Sequence, residues 1–188
     1  MKIVSTNIGK RQEVVWENKT FETGIFKYSV QNPIFLDVED VRGDAICNRE
    51  DHGGVLQAIY GYSLKHYEFW KPKFPNLDWK FGIFGENLTI DDIDETKIHV
   101  GDTFKVGNAV LEATLQRNPC YKLGIRFEDM TIIKQFWNTT MCGVYFKVIK
   151  TGFVKVNDDF IQIKNCSENP TIADLYTNEK IEKGIKQN

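Results

Sequence analysis

Between Ile3 and Ile163 the chain is a succession of short runs rich in Val, Ile, Phe, Tyr and Thr, broken by Gly-Asp, Gly-Asn and Asn-Asp pairs. β-Branched and aromatic side chains suit a pleated, half-buried surface, and such dipeptides supply the positive φ or local hydrogen bonds that tight turns need. The pattern predicts a mainly β protein with strands at Lys2 to Ile8, Gly24 to Val30, Ile34 to Val41, Ala58 to Gly61, Glu86 to Ile90, Val144 to Ile149 and Phe153 to Val156. The clearest hairpin runs from Thr103 to Val106, turns at Gly107-Asn108 and returns from Ala109 to Thr114. So many short strands predict a closed or nearly closed β-barrel with a few peripheral helices.

Two helices interrupt the strands. Ser63 is placed to cap Leu64 to Trp70, with Pro72 as a stop, and a second helix starts near Asp129 with Ile132, Ile133, Phe136 and Trp137 on one stripe. Residues 1–163 form one β domain, and 164–188 a short helical tail in which Asn169-Pro170-Thr171 links to a polar helix from Ile172 to about Lys183. That helix carries so little apolar surface that it is marginal alone.

Lys and Arg number 24 against 26 Asp and Glu, a formal charge of −2, so no basic field exists to hold a nucleic-acid backbone. No apolar run approaches the roughly 20 residues of a membrane span, and the N-terminal segment lacks the apolar core of a signal peptide, which predicts a cytoplasmic protein without a membrane partner. Cys47, Cys120, Cys142 and Cys166 have no Cys-x-x-Cys spacing, and a reducing compartment keeps them as thiols.

The chemistry is placed at Cys120. In the run from Leu111 to Leu123 an apolar strand pattern ends in an arginine, a proline and a thiol within four residues, Arg117-Asn118-Pro119-Cys120. Pro119 has no ladder donor, so the chain turns and presents the next side chain at the sheet margin. Arg117 can hold an anion beside the sulfur or favour its thiolate. Taken alone, a buried structural cysteine would be the commoner outcome. His52-Gly53-Gly54 could offer amides and an imidazole to an anion, or form only a turn. Glu86 and Asn87, in Gly85-Glu86-Asn87-Leu88, could orient a ring-edge amide or cap a turn. Cys142, His66 and His99 are read as packing or surface residues. There is no Gly-x-Ser-x-Gly elbow, no phosphate-binding Gly-Lys-Ser loop and no Gly-x-Gly-x-x-Gly, which removes the usual support for hydrolase, nucleotidase and dinucleotide readings.

Taken in order, His52-Gly53-Gly54 with Ala58-Ile59-Tyr60-Gly61-Tyr62, His66-Tyr67-Glu68-Phe69-Trp70, Gly82 with Gly85-Glu86-Asn87-Leu88, Val100-Gly101-Asp102, and Arg117-Asn118-Pro119-Cys120-Tyr121-Lys122-Leu123 resemble the MOSC domain, the molybdenum cofactor sulfurase C-terminal domain. The likeness covers roughly Met1 to Val156 and is greatest to standalone bacterial members that reduce N-hydroxylated compounds such as 6-hydroxylaminopurine. The resemblance implies a β-barrel, the molybdenum–molybdopterin cofactor, Cys120 as catalytic residue and metal ligand, and His52, Gly53, Gly54, Glu86, Asn87, Arg117 and Asn118 as cofactor-binding residues. It further implies a small-molecule substrate and a separate electron-donating redox protein, with a homodimer compatible. Two alternatives share the pocket: a sulfur carrier that passes a Cys120 persulfide to the cofactor beside a pyridoxal-phosphate cysteine desulfurase partner, and a cofactor carrier without turnover. The chain departs from the family pattern at Gln57, where lysine is common, at Leu115-Gln116-Arg117, where Gln-Pro-Arg is common, and in its tail, which resembles only the start of a three-helix extension.

Overall fold

The computed structural model describes residues 1–47 and 53–185. In chain order the elements are β1 (Ile3–Gly9), β2 (Gln12–Trp16), β3 (Lys19–Thr23), β4 (Lys27–Ser29), β5 (Ile34–Leu36), β6 (Ile59–Ser63), α1 (Leu64–Trp70), β7 (Leu88–Ile90), β8 (Thr103–Val106), β9 (Ala109–Gln116), α2 (Tyr121–Phe127), α3 (Thr131–Trp137), β10 (Val144–Lys150), β11 (Gly152–Val154), β12 (Phe160–Lys164) and α4 (Ile172–Glu182).

The protein is mainly β, as its alternating apolar runs predict. An eight-stranded sheet runs in the order β12-β8-β9-β10-β6-β7-β1-β4, flanked by the small sheets β11-β5 and β2-β3. Within the large sheet β6 and β7 are the parallel neighbours. The segment containing α1 carries the chain back between them, as a parallel pair requires. The expected closed or nearly closed barrel is corrected to open sheets, because the large ladder ends at β12 on one side and β4 on the other. Between the N-terminus and the start of β12 there are an isolated bridge, Lys2 to Asp159, and a few backbone hydrogen bonds, among them Ile3 N–H to the Asp158 carbonyl at 3.0 Å and Phe160 N–H to the Met1 carbonyl at 2.8 Å, but no strand ladder. The edge strand β4 is only three residues long and pairs with the far end of β1, Asn7 to Gly9.

The β8–β9 hairpin follows its turn signal, with Val106 opposite Ala109 and Gly107 at φ 51. The β2–β3 hairpin, β12 and α2 escape the strand and helix signals. At the β2–β3 turn Glu17 and Asn18 sit at φ 49 and 60, a left-handed pair built without glycine. Six strands differ from their predicted spans by one or two residues at an end, but Gly24 to Val30 narrows to β4 and Ile34 to Val41 to β5.

One core joins these layers. Trp70 of α1 stacks on Phe136 of α3 with ring centroids 5.9 Å apart, and its Nε1–H donates to the Tyr62 hydroxyl at 2.9 Å. Tyr62 stacks in turn on Phe84 at 4.2 Å. Thr171 and Asp174 form a reciprocal capping box at the start of α4. Tertiary contact, not propensity, then holds that helix: Ile172, Ala173 and Tyr176 are buried, and the Tyr176 ring lies on Trp137 at 4.8 Å and 12°. None of the described helices is long and apolar enough to cross a membrane.

Candidate functional site

Strand β9 stays paired to β10 as far as Gln116 opposite Val144, and the chain then leaves the sheet through Arg117, Asn118 and Pro119. Cys120 follows in an extended conformation, φ −128 and ψ 170, as the residue preceding α2. The exit opens onto a cavity of about 100 Å³, whose lining includes Lys27, Asp44, Cys47, Gln57, Tyr60, Asn87, Arg117, Cys120, Lys122 and Tyr145.

Three elements fix the cavity wall. Asn87 donates its amide to Asp44 Oδ2 at 2.8 Å, its backbone N–H to the Tyr60 carbonyl at 2.8 Å, and accepts from the Tyr60 N–H at 3.3 Å. Asp44 also accepts the Gly9 N–H at 2.7 Å and pairs with Lys27. Burial pulls the Lys27 ammonium down from its ordinary range, and Asp44 opposes that shift. Gly82 sits at φ 85 where an added Cβ would meet the Lys27 carbonyl oxygen at 2.7 Å, so only glycine fits behind this lysine.

Arg117 is 8% exposed, and its guanidinium lies over the Tyr60 ring at 5.1 Å. Its Nη1 is buried and has no hydrogen-bond partner among the described residues. A buried donor left in this state costs free energy unless something accepts from it. Burial pushes the Tyr60 phenol well up, and its hydroxyl donates to the Cys142 carbonyl at 2.9 Å. Burial likewise pushes up the Tyr145 phenol, against the pull of Arg117, with Cys120 adding to the rise. Among the described lining residues there are three cationic side chains, Lys27, Arg117 and Lys122, and one carboxylate, Asp44. The cavity therefore favours an anionic group.

The structure brings together three of the residues expected from sequence: Cys120, Arg117 and Asn87 all line the cavity. His52 lies outside the described residues. Gly53 and Gly54 are not among the lining residues; Gly54, at φ 82, starts the short 3-10 turn Val55–Gln57 that carries Gln57 to the cavity. Asn118 is not on the lining either, and its Oδ1 is buried without a partner among the described residues.

Glu86, expected from the resemblance as a cofactor contact, is not among the cavity-lining residues and braces the interior. Its carboxylate accepts from Gly82 N–H at 2.8 Å, Phe84 N–H at 3.2 Å, Thr89 hydroxyl at 2.8 Å and the Tyr67 hydroxyl, and it is fully buried. Those donors hold the loop ahead of β7, and burial raises the carboxyl above its ordinary range. His66 is also a packing residue, its Nε2 bonded to Glu95 Oε2 at 2.8 Å, and Cys142 is buried.

Sequence reasoning missed Lys27, Asp44, Cys47, Lys122 and Tyr145 as parts of the wall. Lys122 stands two places after Cys120 and Tyr60 within the Ala58 to Tyr62 motif, so both were within reach of the motif reading. Lys27 and Asp44, paired across 17 positions, carry no local signal.

The MOSC domain family model matches residues 48–160, which include β6 to β11, Arg117 and Cys120. The chain belongs to the MOSC domain family. Among its relatives is the uncharacterized protein YflK of Bacillus subtilis (strain 168), 33% identical over 81% of this chain and 68% of that protein. A protein named Reductase from Gibberella moniliformis is 32% identical over 72% of this chain, which spans 25% of that protein. The crystal structure of YiiM from Geobacillus stearothermophilus superimposes with a TM-score of 0.76 at 26% identity, covering 96% of this chain and 83% of that one.

The MOSC family is associated with the molybdenum cofactor, and the donor set here fits that group. Among the described residues no cluster of three His, Cys, Asp or Glu could hold a bare metal ion. One soft thiol on a cationic cavity suits a metal that arrives with sulfur ligands of its own. The orphaned Arg117 Nη1 suits the charge such a group carries. In this MOSC chain Cys120 would be the protein's ligand, with Arg117 and Lys122 placed for the anionic part.

Proposed function

We propose that this chain is a molybdenum-cofactor-dependent reductase of N-hydroxylated compounds, such as hydroxylaminopurine-like bases and amidoximes. The overall reaction breaks an N–O bond, consumes two electrons and two protons, and releases the amine or amidine and water. The observation that carries the reading is the pairing, on one cavity, of the Cys120 thiol with a buried Arg117 nitrogen that has no partner among the described residues. A relative that bears the name Reductase supports the reaction class.

When bound, the cofactor supplies the two-electron centre. Cys120 would contribute its sulfur as the protein's ligand, with Arg117 and Lys122 on the same cavity wall. Arg117, fixed over Tyr60, offers Nη1 to an anionic oxygen without having to give up another hydrogen bond. The Tyr145 phenol, kept protonated by burial, holds a proton on the cavity wall. Asn87 donates its amide to Asp44 and to the Asn7 carbonyl and accepts from the Tyr60 N–H, so it shapes the wall and leaves its donors unavailable to ligand. Electrons come from a separate redox protein.

The test is metal and pterin analysis of protein made in a cofactor-producing host, wild type against Cys120→Ala, followed by turnover of a panel of N-hydroxylated bases and amidoximes with a competent electron donor. Near-stoichiometric molybdenum lost in the variant, with amine released by the wild type, is expected. Molybdenum-loaded protein that leaves the whole panel unchanged would overturn the reductase reading, and protein without molybdenum in either form would overturn the cofactor reading.

A further inference from the structure

Two of the four cysteines face one cavity. Cys47 and Cys120 both line it, whereas Cys142 and Cys166 lie elsewhere in the buried core, 0% and 4% exposed. Neither cavity thiol belongs to a strand or a helix: Cys47 sits in a bend and Cys120 is the extended residue before α2. Joining them therefore breaks no strand ladder. The Ala45 N–H bonded to the Gly9 carbonyl at 3.0 Å and the Asp44 carboxylate held by Gly9 and Asn87 anchor the segment that brings Cys47 to the wall.

The surroundings suit oxidation chemistry. Lys27, Arg117 and Lys122 outnumber the lone Asp44 carboxylate on the described lining, and the nearly buried Arg117 keeps Nη1 unpartnered. Such a wall steadies the anionic leaving group released when a thiol cleaves an O–O bond. Cys142 is the opposite case, its Sγ 3.4 Å from the Gly143 carbonyl and its thiol pushed well up by burial.

We infer that Cys47 is the resolving partner of Cys120, and that a hydroperoxide converts the two into a reversible disulfide that closes the site. In the first step the Cys120 thiolate attacks the O–O bond, forming Cys120 sulfenic acid and releasing hydroxide or alkoxide, which takes a proton from water. In the second, the Cys47 sulfur attacks the sulfenic sulfur. The S–S bond forms, the S–O bond breaks, and the departing hydroxyl takes the Cys47 proton to leave as water. The two thiols lose two electrons and the peroxide gains them. A dithiol reductant reverses the state by exchange. The disulfide shields Cys120 from irreversible oxidation and withdraws its sulfur from any metal. Only that last consequence rests on the molybdenum reading.

The test uses full-length protein from a host unable to make the cofactor, treated with hydrogen peroxide, alkylated, and digested with trypsin without reduction. Cleavage after Arg42, Arg49, Arg117 and Lys122 isolates Cys47 in peptide 43–49 and Cys120 in peptide 118–122. The expected product is these two peptides linked within one molecule and separated by dithiothreitol, with Cys142 and Cys166 left as thiols. In Cys47→Ser, whose fold is checked by circular dichroism, Cys120 should proceed instead to sulfinic acid. Wild-type Cys120 that becomes sulfinic or sulfonic acid without the cross-link would overturn the inference, as would a link only between molecules. A parallel sample carrying molybdenum cofactor should give several-fold less cross-link. An unchanged yield there would count against ligation by Cys120 and leave the disulfide standing.

Discussion

Lys27 and Asp44 form an ion pair on the cavity wall with side chains only 9% and 2% exposed. The two halves are unequal. Asp44 also accepts from Gly9 N–H and from the Asn87 amide, so its loss strands a buried ammonium and two donors together. Asp44→Ala should cost about 3–5 kcal/mol of unfolding free energy, the range for breaking a buried pair from one side. Lys27→Met should cost less, because the carboxylate keeps both neutral donors. Urea unfolding of the two variants checks the order, and a costlier Lys27→Met would show that the lysine, not the carboxylate, organises this wall.

Glu86 gives stability a pH signature. Its carboxyl is raised by burial above the ordinary 4.5, so between that value and the raised native one the folded state holds a proton that the unfolded state has lost. Unfolding stability must therefore fall as pH rises through that window, and the contribution is level below 4.5. Glu86→Gln should remove this slope. It should also lose about 1–3 kcal/mol overall, because its amide N–H₂ now faces the Phe84 N–H that the carboxylate accepted. Chemical denaturation at a series of pH values reads both effects, and a slope that survives in the variant would assign it to another group.

Tyr176 attaches α4 to the body of the protein. Its ring stacks on Trp137 at 4.8 Å and its hydroxyl donates to the Phe136 carbonyl at 3.1 Å. Tyr176→Ala should cost about 3–5 kcal/mol, as large-to-small aromatic changes in cores do. Tyr176→Phe should cost about 0.5–1.5 kcal/mol, since it removes only the hydrogen bond. Thermal unfolding and hydrogen exchange of 172–182 measure these. Protection in the helix that persists in Tyr176→Ala would mean that Ile172 and Ala173 suffice to dock it.

What could be read from the chain follows the range of the interactions involved. The β8–β9 hairpin was legible because its turn lies between its own strands, and Arg117 and Cys120 because Pro119 ends a strand beside them. The β2–β3 hairpin was not, because Glu17-Asn18 lacks the glycine that advertises a left-handed turn. Helix α2 was hidden by Pro119 before it and Gly124 within it, both poor helix signals. Glu86 and Asn87 are adjacent, and sequence treated them alike; alternation across the strand entry turns one carboxylate inward and leaves its neighbour on the cavity. The expected barrel rested on strand count, which cannot say whether the outer edges find a common register.

The proposed role of Arg117 in holding the cofactor separates ligand binding from folding. A buried guanidinium nitrogen without a partner is a cost in the empty protein, and residues kept for binding commonly carry such a cost. Arg117→Met should therefore leave stability unchanged or slightly higher while retention of the molybdenum cofactor falls by about 10-fold or more, the equivalent of one charge-assisted hydrogen bond of roughly 1.5–3 kcal/mol. Arg117→Lys should not restore binding, because an ammonium cannot reproduce both the planar stack over Tyr60 and the direction of Nη1. Bound molybdenum and pterin are measured beside urea unfolding of the same samples. An Arg117→Met protein that keeps its cofactor but loses more than about 2 kcal/mol would make the guanidinium a packing group against Tyr60, and the anion-holding role would pass to Lys122.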